Sequence, residues 1–244
     1  ERMLSALGLQ TVSIWLSERS YEELRRVRHA GTIVSLPHGR KAARVLARRL
    51  GARLVEAGLP FGLEASRRFL EQVGLQTGRA DAARAFADRE TDETAPRLEW
   101  TVPHAFLGRR FAFAGDPHYA AAFADMVEEL GGRVAATVLI GGAHHLPAEA
   151  RAALEQRPGT MFEPHREKVR RLFREATRNE VDLLVGTSLG IKNIVPEVPW
   201  LEFGFPSEHT HFLKEEPFLG FTGALALLSR MANELVKGLQ GAGV

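Results

Sequence analysis

The chain of 244 residues contains no cysteine. Disulfide bonds are therefore excluded, as is any zinc or iron–sulfur site held by thiolates from these residues alone. The chain also lacks an apolar run of membrane-spanning length and a signal peptide, which predicts a cytoplasmic protein without a membrane partner. The chain also has little net charge: its 32 Lys and Arg residues and 30 Asp and Glu residues give a net charge of +2.

The basic residues are mostly Arg, and we interpret them as dispersed along helices and mixed with Glu and Asp. They form no stripe interleaved with aromatic side chains, so a nucleic-acid partner is not predicted. Hydrophobic residues make up 45% and charged residues 25%, which excludes a disordered or fibrous class. The chain begins Glu-Arg-Met-Leu without an initiator Met, which leaves open that it is a piece of a longer protein.

Apolar runs of strand length alternate with helical patterns along the chain. Strands are predicted over Gln10–Leu16, Thr32–Leu36, Arg53–Glu56, Arg110–Ala114 and Arg133–Ile140. Strands that alternate with helices in this way are typical of parallel sheets with right-handed crossovers. The predicted fold class is α/β, with two doubly wound Rossmann-like parallel-sheet domains.

The boundary between the two predicted domains lies where the periodicity is interrupted. A helix rich in Ala and Arg is predicted from Gly78 to about Pro96, after which the pattern is lost until periodicity starts again at Arg109. The stretch from Arg89 to Thr94 is acidic and polar, and the domain junction is predicted at about residues 90–108. We therefore predict one Rossmann-like domain over residues 1–95. A second covers residues 96–244, including helices at residues 147–154 and 164–177 and a long C-terminal helix from about Phe218 to Leu239.

The stretch from Asp182 to Leu227 predicts a strand, a loop, a second strand, a polar loop and the last helix. In an open α/β sheet, ligands gather outside the carboxyl ends of the strands. This predicts cofactor-binding loops that contain Ser188, Gly190, Gly204 and Ser207.

Gly115 and Asp116 lie where another predicted strand meets a helix, followed by Pro117 at the first helical position. The N-terminus of that helix would suit an anion, so both residues are cofactor-binding candidates. The favoured interpretation of Gly115 and Asp116 is purely structural: they form a tight turn and a helix cap. No Gly-x-Gly-x-x-Gly motif and no Gly-x-x-x-x-Gly-Lys-Ser/Thr motif supports a nucleotide site.

His209 and His211 are the catalytic candidates. Two positions apart in an extended loop, their side chains face the same way, which suits a proton donor, a bound carboxylate or an interface. Glu208 and Glu215 could support them, but two histidines are too few to predict a metal site. The adjacent pair His144 and His145 points in opposite directions and predicts a structural or surface role.

Four stretches resemble the nitrogenase component 1 superfamily, which includes the nitrogenase subunits, their cofactor-assembly scaffolds and the dark-operative protochlorophyllide reductase. The last is the most specific and is closest to β-type or scaffold-type subunits. The stretches are Tyr21 to Ala30 with Leu59-Pro-Phe-Gly-Leu, Leu107-Gly-Arg-Arg-Phe-Ala-Phe-Ala-Gly-Asp-Pro, Val181-Asp-Leu-Leu-Val-Gly-Thr-Ser, and Phe203-Gly-Phe-Pro with His209, His211 and Pro217-Phe-Leu-Gly-Phe-Thr-Gly-Ala.

The resemblance covers nearly the whole chain but only the family's later two domains. It implies an oligomer in which a homologous second subunit and an ATP-dependent iron protein are the partners. The family's cluster cysteines lie mainly in an N-terminal domain that has no counterpart here. This chain alone is therefore expected to hold no cofactor, and an iron–sulfur cluster or metallocluster would belong to the full assembly.

Three functions stay open from the sequence. The leading one is a nitrogenase-like oxidoreductase subunit, or a fragment of one. The second is a non-catalytic scaffold or binding protein for the assembly of a metallocluster or tetrapyrrole. The third is a small-molecule binding protein with two lobes and a cleft. The absence of cysteine favours the second and third, and the family likeness favours the first.

Overall fold

The computed structural model describes residues 1–15, 19–142, 146–165, 167–171, 181–188, 198–205, 207–211, 213 and 216–241. The chain divides into two compact units, unit 1 from Glu1 to Glu93 and unit 2 from Thr94 to Val244. Each unit is built on its own parallel sheet.

Unit 1 contains a two-stranded parallel sheet and most of the helices of the first half of the chain. The strands pair in register from Thr32 with Arg53 to Ser35 with Glu56. Ser20 caps the second helix in a reciprocal capping box with Glu23, as the sequence predicts. The elements are α1 (Arg2–Ala6), α2 (Tyr21–Arg25), β1 (Thr32–Ser35), α3 (Arg40–Leu50), β2 (Arg53–Glu56), α4 (Leu63–Thr77) and α5 (Ala80–Leu98), with short 3-10 turns at Arg26–His29 and Pro37–Gly39.

The strand predicted at Gln10–Leu16 is wrong. Residues 10–15 are not in a strand, and Leu16 lies outside the described residues. A strand exists only through hydrogen bonds to a neighbour, and in the described part of unit 1 β1 pairs with β2 alone. Alternating β-branched residues were therefore insufficient to place a strand here.

The helix predicted from Gly78 to about Pro96 is confirmed, because α5 runs from Ala80 to Leu98. The buried stripe of α5 continues from Ala83 and Phe86 through Glu90 and Thr94 at helical spacing. Glu90 is polar but buried, and Arg2 donates to its carboxylate at 2.5 Å.

Unit 2 contains a five-stranded parallel sheet in the order β5-β4-β3-β6-β7. The chain leaves β3 towards one edge through β4 and β5, and then crosses back to β6 and β7 on the other side. Its elements are α6 (Thr101–Ala105), β3 (Arg110–Gly115), α7 (Pro117–Glu129), β4 (Arg133–Leu139), α8 (Ala148–Glu155), β5 (Thr160–Phe162), β6 (Leu183–Gly186), β7 (Trp200–Glu202) and α9 (Gly220–Gly241).

The sheet of unit 2 is buried at its centre. Residues 111–115 of β3 and all of β6 are buried, as expected for parallel strands covered on both faces. The short strand β5 has no counterpart in the sequence-based prediction. Residues 167–171 are helical, and the rest of the helix predicted over residues 164–177 lies mostly outside the described residues.

The predicted α/β class with parallel sheets is confirmed, and most predicted elements fall within a few residues of the observed ones. Asp116 caps α7, with Pro117 at its first position, as the sequence predicts. Among the residues that the structure describes, no helix is both long and apolar enough to cross a membrane.

Gly186 is the position where β6 comes closest to β3. A Cβ atom there would lie 2.3 Å from the carbonyl oxygen of Ala114. We expect Gly186→Ala to lower the free energy of unfolding by about 2 kcal/mol, because the strands would have to separate. Urea denaturation monitored by circular dichroism measures this change in the free energy of unfolding.

Gly58→Ala is the matched control for this substitution, since a Cβ at Gly58 meets nothing within 4 Å. It is expected to stay within about 1 kcal/mol of the parent. Equal stability of Gly186→Ala and the parent would show that β3 and β6 are not in close contact.

Candidate functional site

The candidate site is the carboxyl edge of the unit 2 sheet, where β3, β6 and β7 end side by side. Thr187 lies at its centre. Its Cγ2 would be 3.6 Å from a Cβ placed at Gly115 and 3.1 Å from one placed at Gly204. The strand order reverses between β3 and β6, and such a switch point is where open α/β sheets bind ligands.

Gly115, Asp116, Ser188 and Gly204, four of the predicted cofactor-binding residues, lie at this edge. Ser188 is buried after the end of β6, and Gly204 follows β7 with a φ of 101°, a conformation that favours glycine. Asp116 accepts a hydrogen bond from the backbone N–H of His118 at 2.7 Å, so its side chain caps α7. Gly190 lies outside the described residues.

Glu202, the last residue of β7, organises the loop that follows it. Its buried carboxylate accepts hydrogen bonds from the backbone N–H groups of Glu208, at 2.7 Å, and His209, at 3.1 Å. Burial alone would raise the pKa of Glu202. Hydrogen bonds from Thr210, from the two backbone N–H groups and from Ser207 outweigh that effect and lower the pKa to about 2.

His209 is held in place by the same arrangement. Its ring meets the indole ring of Trp200 edge to face, with centroids 5.5 Å apart. Its Nδ1 lies 3.6 Å from a carboxylate oxygen of Glu202, and half of its side-chain surface is exposed. His209 therefore presents an imidazole to solvent from a fixed position beside a carboxylate.

The two remaining predicted loop residues are less constrained. The Ser207 hydroxyl donates to the carbonyl oxygen of Thr210 at 3.3 Å, which closes the turn. His211 is exposed and makes no hydrogen bond to another described residue. The predicted pairing of His209 with His211 stays a prediction. Glu215, His144 and His145 lie outside the described residues.

A cavity of about 430 Å³ opens beside this loop, between β7 and α9. The Arg230 guanidinium donates to the backbone carbonyl of Glu202 at 3.0 Å and joins helix to strand. Lys237 pairs with Glu234 at 2.7 Å. The cavity is lined by Trp200, Leu201, Glu202, His209, Thr210, Arg230, Asn233, Glu234 and Lys237. Its mixed charges suit a polar ligand or a polar segment of another protein.

Three aromatic rings pack behind the carboxyl edge. Tyr119 of α7, Phe203 after β7 and Phe218 before α9 meet edge to face, with centroids 5.6 to 5.8 Å apart. Burial, and secondarily the charge of Asp116, raises the pKa of Tyr119 to about 12. The phenol therefore stays protonated at neutral pH.

Sequence reasoning found the histidine loop but missed the groups that fix it: Glu202, Trp200 and Arg230. One signal was available. Glu202 is the only charged residue in the otherwise apolar run Val198-Pro-Trp-Leu-Glu-Phe. A carboxylate buried at the end of such a strand requires several donors, and the following loop is the nearest source of them.

Comparisons with known proteins agree on one family. The sequence profile described as nitrogenase component 1 type oxidoreductase matches residues 1–236. A subunit of the light-independent protochlorophyllide reductase of Halorhodospira halophila is 29% identical, over 98% of this chain and 45% of that protein. The nitrogenase molybdenum–iron protein β chain of Sinorhizobium fredii is 28% identical, over 87% of this chain and 42% of that protein. The chain thus spans less than half the length of these relatives.

Solved structures share the fold. A nitrogenase structure, Cp1 at pH 6.5, superposes with a TM-score of 0.78 at 19% identity, over 100% of this chain and 57% of that one. A periplasmic metal-binding protein of Candidatus Liberibacter asiaticus superposes with a TM-score of 0.53 at 10% identity, over 96% of this chain and 95% of that one. At these identities the likeness is one of fold alone.

The Glu202 carboxylate is expected to stabilise unit 2 only while it is ionised. Glu202→Gln should lower the free energy of unfolding at pH 7 by about 2 kcal/mol, since an amide cannot accept all of these hydrogen bonds. The folded-state pKa of about 2 lies below the ordinary 4.5. The carboxylate's contribution is therefore complete above pH 4.5 and is lost as pH falls towards 2.

Urea denaturation of parent and variant at a series of pH values measures this difference, which should shrink between pH 4.5 and 2. Glu234→Gln is the control, because Glu234 is in an exposed i,i+3 pair worth at most about 0.5 kcal/mol. A constant difference between parent and Glu202→Gln at every pH would contradict the assigned role.

Proposed function

This chain belongs to the nitrogenase component 1 type oxidoreductase family, and we propose that it is part of a β-type subunit of a nitrogenase-like reductase. The observation that carries the proposal is the alignment of 98% of the chain with a subunit of a light-independent protochlorophyllide reductase. Nitrogenase molybdenum–iron protein β chains match as well. The family resemblance read from the sequence is confirmed by the profile match.

The reductase would work as an oligomer in the cytoplasm. We propose a homologous second subunit as one partner and an ATP-dependent iron protein, which delivers electrons, as the other. The same family membership supports both partners. The curated relatives are longer than this chain, so the catalytic centre would be completed by residues outside these 244.

These residues do not fit an iron–sulfur cluster or metallocluster held by this chain alone. Such clusters are bound chiefly through cysteine thiolates, and the chain has none. Any cluster would therefore belong to the full assembly.

Within unit 2, we assign His209 as the residue that would deliver a proton to a substrate bound at the carboxyl edge. Its half-exposed ring, held beside Trp200 and Glu202, supports this assignment, because a general acid has to be both positioned and accessible to substrate. His211 lacks this support and is assigned no comparable role. Gly115, Asp116, Ser188, Gly190, Gly204 and Ser207 would shape the surface that meets a cofactor, substrate or partner.

A second candidate is a cofactor-assembly scaffold that binds a metallocluster or tetrapyrrole without reducing it. The absence of cysteine favours the tetrapyrrole form of this candidate, since a tetrapyrrole, unlike an iron–sulfur cluster, can be held without thiolate ligands. The two candidates differ in whether the native protein turns over a substrate.

The test uses the native protein encoded by the full reading frame. It is purified without oxygen, together with the subunits that co-purify with it. We expect iron in the complex, a second homologous subunit, and reduction of protochlorophyllide when iron protein and MgATP are supplied. Iron without a second subunit would contradict the proposed oligomer. An iron-free protein that binds a tetrapyrrole without reducing it would replace the reductase by the scaffold.

His209→Gln in that complex is expected to lower turnover by about a hundredfold, the usual contribution of a positioned general acid. His211→Gln, a change in the same loop, should stay within about threefold of the parent. Absorbance of the reduced product measures turnover, and iron content should not change in either variant. Similar losses in the two variants would show that the loop acts as a surface and not through His209.

A further inference from the structure

Charge is unevenly distributed in unit 1, which the balanced composition conceals. Between Leu24 and Val55 the chain has no Asp or Glu and nine Arg or Lys residues: Arg25, Arg26, Arg28, Arg40, Lys41, Arg44, Arg48, Arg49 and Arg53. Because the whole chain carries only +2, the other residues together carry −7. The prediction that basic residues are mixed with acidic ones fails over this segment.

Helix α3 displays part of this charge on one side. At 100° per residue, Lys41, Arg44 and Arg48 lie within about 60° of one another around the helix axis. All three are exposed, while Ala47, about 100° around the helix axis from Arg48 and about 120° from Lys41, is buried. Arg44 is neutralised by Glu56, with its Nε 2.5 Å from the carboxylate. Lys41 and Arg48 have no carboxylate partner among the described residues.

The amino-terminal edge of the two-stranded sheet extends this basic surface. The backbone N–H of Arg53 donates to the carbonyl of Gly31 at 3.0 Å, so β2 begins beside the start of β1. Arg28 precedes the first residue of β1 by four residues, and Arg49 is in the last turn of α3, four residues before the first residue of β2. We define the basic face by the exposed residues Arg28, Lys41, Arg48, Arg49 and Arg53.

No carboxylate of the described residues forms a salt bridge with any member of the basic face. Arg53 donates to the carbonyl oxygen of Gln76 at 2.6 Å, Arg48 to that of Arg44, and Arg28 to the ring of His29. None of these acceptors is a carboxylate. Cations concentrated on one helix and the adjoining strand ends without counter-charges repel one another, and an anionic partner would relieve that repulsion.

We propose that the basic face is a docking surface for an acidic patch on another protein. Arginine supplies four of its five residues, and its planar fork matches carboxylates in two-point contacts. The proposal is independent of the reductase function, because it rests on unit 1 and not on the site in unit 2.

Two other anionic partners fit less well. A membrane-binding basic helix exposes a broad apolar face, whereas Val45, 41% exposed, is the one large apolar residue exposed on α3. Single-stranded nucleic acid is held partly by aromatic stacking, and no aromatic residue occurs between Tyr21 and Phe61. Duplex nucleic acid needs only phosphate contacts, so it is compared directly with the acidic polypeptide in the test.

The test compares the binding of labelled poly-L-glutamate and labelled duplex DNA by fluorescence anisotropy at several salt concentrations. The double variant Lys41→Glu/Arg49→Glu reverses two charges at opposite ends of α3, so its effects on the helix dipole oppose each other. The control, Arg79→Glu/Arg84→Glu, makes the same charge change at exposed positions outside the basic face. Circular dichroism checks that both variants fold.

We expect poly-L-glutamate to bind the parent and to dissociate as salt rises. Lys41→Glu/Arg49→Glu should weaken that binding about tenfold, and the control variant should weaken it less than about twofold. Lys41→Gln/Arg49→Gln should weaken the binding of poly-L-glutamate by an intermediate amount. If Lys41→Glu/Arg49→Glu does not fold, the comparison of Lys41→Gln/Arg49→Gln with the parent tests the proposal instead.

Equal weakening by the control variant would overturn the proposal, since it would mean that net charge and not this face governs binding. Absence of poly-L-glutamate binding by the parent would overturn it as well. Tighter binding of duplex DNA than of poly-L-glutamate at the same salt concentration, lost on Lys41→Glu/Arg49→Glu, would replace the protein partner by a nucleic acid.

Discussion

The close packing of β6 against β3 is the constraint on which the functional edge of unit 2 depends. Gly186 has no side chain to hold the strands apart, so Thr187 continues directly from the sheet and its N–H donates to the carbonyl of Ala114. Thr187 in turn fills the space beside Gly115 and Gly204. One missing Cβ thus lets three strand ends converge, and the residues that follow them form a single surface.

Glu202 extends this rigid edge into the loop beyond it. A carboxylate buried at the end of β7 is acceptable only because several donors surround it, and the chain supplies them from the next eight residues. The loop is therefore folded around a charge, not around an apolar cluster. His209 gains a fixed orientation as a consequence, whereas His211, beyond the last donor, does not.

The sequence predicts much of the fold and less of the site, for a physical reason. Strands such as Arg53–Glu56 and the cap at Asp116 depend on local patterns, and they were located from the sequence. The strand expected at residues 10–16 depended on a distant partner, which no local pattern reveals. At the site, the polar loop was evident but Glu202 was not, because its role depends on burial and on donors brought back by a turn.

The net charge of the chain does not show where its charges lie. A net charge of +2 suggests an electrostatically neutral molecule, yet a single segment of unit 1 concentrates nine cations. Electrostatic steering depends on how charges are clustered within roughly a Debye length, about 10 Å, and not on their sum. The basic face in unit 1 is of one sign, whereas the cavity in unit 2 is lined by residues of both signs. The two surfaces therefore suit different partners, and neither is visible in the composition.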